Sequence, residues 1–134
     1  MQRKFLSLSA ICAALVTLVA LPAWAHHSHN AYEVTVWTPM EGTVTEIHYI
    51  LPHSWIYMEV KDAKGGEPTV WALEAAGPAA ILNNGVTKQD VKPGDKIKVR
   101  CHLLRDGTPG CLLGFITPEH GDKARGDGVE HQWD

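Results

Sequence analysis

Apolar and polar positions alternate in short runs along most of this chain, the period-two signature of half-buried strands. Residues 32–37 alternate in this way, and Thr38-Pro39-Met40 then interrupts them. Residues 42–50 are long and rich in β-branched side chains, and predict a strand. Residues 55–60 and 69–74 predict two more, joined through the turn composition Asp62-Ala63-Lys64-Gly65-Gly66. The period then changes. Residues 78–84 are rich in Ala and Leu, begin with Pro78 and are followed by Gly85, which predicts a short helix. After the turn at residues 91–95, residues 96–104 and 110–117 predict a hairpin around Arg105-Asp106-Gly107-Thr108-Pro109. Three strands, a helix and two strands is the order of a small five-stranded OB-like barrel, an all-β class with one short helix. The competing architecture is an open sandwich with an incidental helix.

Both ends of the chain depart from this pattern. Arg3 and Lys4 precede an apolar stretch from Phe5 to Leu21, which closes on Ala23-Trp24-Ala25, a small-x-small cleavage site. That grammar predicts a signal peptide over 1–25, with export to the periplasm and membrane contact only before cleavage. The expected domain is 26–117. Residues 118–134 are charged, Gly-rich and nearly free of apolar side chains, and predict a flexible tail.

Charge sharpens the picture. The chain of 134 residues carries 12 Lys+Arg against 15 Asp+Glu, a formal net charge of −3, and cleavage would remove two of the cations. An acidic exported domain lacks the basic footprint of nucleic-acid binding. Of three cysteines, Cys12 lies in the leader. Cys101 and Cys111 flank the hairpin turn, an even pair in an oxidising compartment, and are expected to form a disulfide. There is no C-x-x-C redox motif.

All eight histidines fall after residue 25, at positions 26, 27, 29, 48, 53, 102, 120 and 131. Cleavage before His26 would place a free α-amine beside its own imidazole. Amine and imidazole chelate one ion, and further imidazoles complete a site suited to Cu(II), with zinc as the rival metal. His26, His27, His29 and His53 are the candidate ligands. The bland alternative is a solvated leader remnant. A second constellation runs from Pro52 to Glu59. Period two puts Ile56, Met58 and Val60 on one face and His53, Trp55, Tyr57 and Glu59 on the other. With Trp71 on the next strand, Trp55 and Tyr57 form a candidate aromatic platform for a small ligand or a periplasmic protein partner. The competing reading is that these aromatics cover an apolar face. No nucleophile elbow, P-loop, zincin or dinucleotide motif is present. An enzyme would require a buried His53 or Glu74.

Taken in order, these residues resemble a family of small exported bacterial proteins, domain of unknown function 6152. The resemblance rests on His26-His27-Ser28, Pro52-His53 before an apolar strand, Trp71-Ala72-Leu73-Glu74 and Leu82 to Gly85. Lys92-Pro93-Gly94-Asp95 and Arg105-Asp106-Gly107-Thr108-Pro109-Gly110 complete it. It spans about residues 26–117 and implies a periplasmic location and a small β-rich domain, with no established reaction. Leu51 stands where the family often has Asn, and Cys111 where a small residue is usual. The disulfide therefore reads as a local addition.

Overall fold

A computed structural model describes residues 29–134. Its strands are β1 (Thr38–His48), β2 (Trp55–Val60), β3 (Thr69–Glu74), β4 (Lys96–Leu103), β5 (Gly110–Pro118) and β6 (His131–Gln132), with helix α1 (Pro78–Asn83) between β3 and β4. β1 pairs antiparallel with β2 along its second half and with β4 along its first. β2 continues to β3, and β4 to β5. β5 then returns to β3 in parallel through Ala72, Leu73 and Glu74. Five strands thus close into the expected barrel, which removes the sheet edges an open sandwich would leave.

The core follows from the alternation. Val44, Ile56, Met58, Leu73, Ile97 and Leu113 point inward and are fully buried. α1 starts at Pro78, whose missing N–H costs nothing in a first turn, and buries Ile81. Val86 and Val91 follow it into the core. Gly42 lies where β1 changes partners, and a Cβ there would meet the Glu59 carbonyl oxygen at 2.5 Å. Cys101 and Cys111 are bonded, with Cα atoms 5.8 Å apart. They are not directly opposed, since Cys101 lies opposite Leu113 and Cys111 opposite Leu103. An irregularity beside Arg100 skips Gly114 in the β4–β5 ladder. The Trp37 ring lies on the face that a Cβ of Gly114 would fill.

Two expectations are corrected at the ends of the domain. Residues 32–37 form no strand; the chain makes a single bridge at Tyr32, turns, and enters β1 only at Thr38. Pro39 is tolerated there because that half of β1 has β4 alone beside it. The segment 118–134 is not a flexible tail. Left-handed glycines at 121, 126 and 128 turn it back on the barrel, and β6 pairs with Phe115 and Ile116. Trp133 is 1% exposed. Its N–H donates to the Gly114 carbonyl and its own carbonyl accepts from the Ala76 N–H, both at 2.8 Å. It therefore bridges β5 to the chain leaving β3. Arg100 with Glu130 and Arg125 with Asp95 fasten the segment further. Its burial depends on one large side chain, which leaves no periodicity to read.

Candidate functional site

Backbone pairing extends the β2–β3 ladder past the end of both strands. Ser54 N–H donates to the Ala76 carbonyl at 3.1 Å, and Ala75 N–H to the Ser54 carbonyl at 2.9 Å. Because Trp55 opposes Glu74, this extension sets His53 diagonally from Glu74 on the outer face. His53 Nδ1 lies 2.5 Å from Glu74 Oε1, with the His53 side chain 52% exposed and that of Glu74 17%.

The second oxygen of Glu74 is also taken. Tyr32 donates its phenol proton to Oε2 in a short hydrogen bond. The Tyr32 phenol is pushed well above its ordinary pKa, first by burial and then by the bond to Glu74 and its charge. Its backbone is equally fixed: Glu33 N–H donates to the Leu103 carbonyl and Arg105 N–H to that of Ala31, each at 2.9 Å. The segment behind the predicted leader is thus tied to the β4–β5 hairpin, with its tyrosine on the carboxylate that holds His53. His29 lies three positions before Tyr32, in a short 3-10 turn, and is exposed. His26 and His27 lie outside the described residues. Among the described residues, no three His, Cys, Asp or Glu side chains are gathered to hold a metal ion.

The remaining histidines do separate work. His102 donates its Nδ1–H to the Val36 carbonyl, 2.7 Å away, and stacks on Trp37 with ring centroids 3.9 Å apart. His120 Nε2 lies 3.0 Å from the Asp90 carbonyl. His48, opposite Trp55 on β1, packs edge-on to Tyr57 and bonds Glu46.

The aromatic trio is not brought together. Trp55 opposes Glu74 and Tyr57 opposes Ala72, which puts both on the outer face. Trp71 opposes Met58 and packs against the core from the other side. Alternation along a single strand separates the faces, but matching two strands needs the register, and that put Trp71 with the core. The outer row is His48, Trp55 and Glu74 across three strands. Sequence reasoning missed Tyr32 altogether, because no spacing relates it to a glutamate at the end of β3.

The family of unknown function (DUF6152) matches residues 14–113. The chain belongs to this family. The matched span takes in Tyr32, His53 and Glu74 and ends within β5, so the C-terminal segment of this DUF6152 protein lies beyond it. Neither the curated proteins nor the solved structures contain a match to the chain.

Proposed function

We propose that this DUF6152 protein is an exported periplasmic binding module that holds a transition-metal ion, copper in the first place and zinc as its rival, without turnover. The ligands in this reading are the α-amine and imidazole of His26 after cleavage, with His27, His29 and His53. One observation carries it: Tyr32 is hydrogen-bonded to the same carboxylate that holds His53. Tyr32, six positions after His26 in sequence, is thereby fixed beside His53.

Chain length is compatible. The six positions from Tyr32 back to His26 span at most roughly 20 Å when extended, and less in a turn. Amine and imidazole nitrogens suit Cu(II), which prefers tetragonal nitrogen donors. The His53 side chain is half exposed, so a ligand can reach its ring.

The test is Cu(II) affinity of protein exported through its own leader, measured by competition against a chelator, for wild type and His53→Ala. The reading expects affinity to fall by at least ~10-fold in the variant. Equal affinities, with the fold intact by circular dichroism, would contradict it.

A further inference from the structure

We infer that the groove between α1 and the end of β1 binds a medium-chain aliphatic carboxylate, with its tail among apolar side chains and its head between the Lys88 ammonium and the Tyr49 hydroxyl. The groove shares no residue with the proposed metal ligands and stands apart from that reading. It follows from the way α1 ends. Gly85 has a φ of 85°, and its N–H donates to the Leu82 carbonyl at 3.0 Å. The Val86 N–H donates to the Ile81 carbonyl at 3.2 Å, so the chain turns back on the helix. Val86, Thr87 and Lys88 thereby come to line one cavity of about 280 Å³ with Tyr49, Pro78 and Leu82.

Three features of this groove point to an amphiphile with an anionic head. The first is its apolar wall. Pro78 and Leu82 lie one helical turn apart on one face of α1, and Leu82 is 61% exposed. A contiguous apolar surface, unlike a single exposed leucine, marks a binding site. At ~30 Å³ for each water-sized group, the space takes a chain of about eight to ten carbons. The second feature is Lys88. Lys96, Lys98 and Lys123 each pair with a carboxylate, whereas Lys88 has no such partner among the described residues. Its Nζ lies 5.3 Å from the centroid of the Tyr49 ring instead. The third is the Tyr49 hydroxyl, which is buried and has no hydrogen-bond partner among the described residues. A carboxylate oxygen supplies the acceptor that this donor lacks. Burial and then the charge of Asp90 raise the Tyr49 pKa, so the phenol keeps its proton. The Asp90 carboxylate is held by the Thr87 N–H, and its charge opposes an anion here. The Lys88 ammonium is therefore the decisive contact. Its flexible stem lets it lift off the ring, so that one head group meets both the cation and the hydroxyl.

The experiment titrates ¹³C-methyl-labelled protein with sodium decanoate and reads the Leu82 methyl signals by ¹H–¹³C correlation, with Leu82→Gln identifying them. Wild type is expected to show saturable shifts there, with a Kd below about 1 mM. Decyltrimethylammonium, which has the same tail and the opposite charge, should bind at least ~10-fold more weakly. Lys88→Glu should weaken decanoate by a similar factor, and Tyr49→Phe by about 3- to 10-fold. Leu82 signals unmoved by decanoate up to about 1 mM overturn the inference without any variant needing to fold. So does equal affinity for the two probes in wild type. A Lys88→Glu or Tyr49→Phe protein with an intact methyl spectrum and unchanged decanoate affinity overturns the placement of the head group.

Discussion

Asp95 shows how much one carboxylate holds in this domain. It closes the turn before β4 by accepting from the Lys92 N–H at 2.8 Å and pairs with Arg125 in the C-terminal segment. Burial pushes its pKa up, but the Arg125 guanidinium and the Lys92 N–H outweigh it and hold the carboxyl below the usual aspartate range. A depressed carboxyl stabilises the fold fully above its unfolded value, and that contribution is lost as pH falls through the folded one. Asp95→Asn should cost about 2 kcal/mol at neutral pH, the range of hydrogen bonds to charged groups. The gap between variant and wild type should narrow below about pH 4. Urea denaturation at pH 7 and pH 3 checks both statements, and a gap that widens in acid would reverse the assigned sign. Glu74 works on the same scale with a different result. Its two oxygens join parts of the chain far apart in sequence, which is why neither partner was foreseeable from local spacing.

Two connections between elements set the integrity of the barrel. The buried disulfide joins β4 to β5 and closes a loop across a sequence separation of 10. The chain-entropy relation gives a stabilisation of about 2–3 kcal/mol for such a loop. The double variant Cys101→Ala, Cys111→Ala should lose about that much in equilibrium unfolding, and an unchanged midpoint would show that the bond adds nothing to the packing of the pair. The second connection is β6 with Trp133, which fills the space where β3 and β5 diverge. Trp133→Ala should cost about 3–5 kcal/mol, the range for a fully buried large aromatic. For a domain of ordinary marginal stability this is a large fraction of the total. A loss below ~1 kcal/mol would mean that the segment can detach without opening the core.

For the molecule as a whole, the barrel was legible because its strands obey period two and its helix is marked at both ends. The burial of Ile56 and Met58 beside half-exposed Trp55 and Tyr57 is the alternation read directly from residues 55–60. Pro78 and Gly85 bracket α1 in the same way. What escaped was set by tertiary partners. Residues 32–37 alternate like a strand, yet Val36 N–H turns back to the Glu33 carbonyl, leaving Val34 and Val36 exposed. The C-terminal segment looks solvated because a single tryptophan carries its burial. Trp71 was grouped with Trp55 because strand composition does not give register. Of the candidate site, the outward face of His53 was readable, whereas its link through Glu74 to Tyr32 exists only in the closed barrel.

The central claim is that the histidines on either side of Tyr32 act together on one metal ion. Native mass spectrometry of protein expressed from the full chain with its proposed leader, titrated with Cu(II) and Zn(II), tests it most directly, because one spectrum reports the first residue, the thiol state and the metal count. The account predicts a chain beginning at His26, with Cys101 and Cys111 oxidised and one tightly held metal that is lost when a single residue precedes His26. A chain that begins at His26 and takes up no stoichiometric metal, or holds it regardless of what precedes His26, would contradict the account.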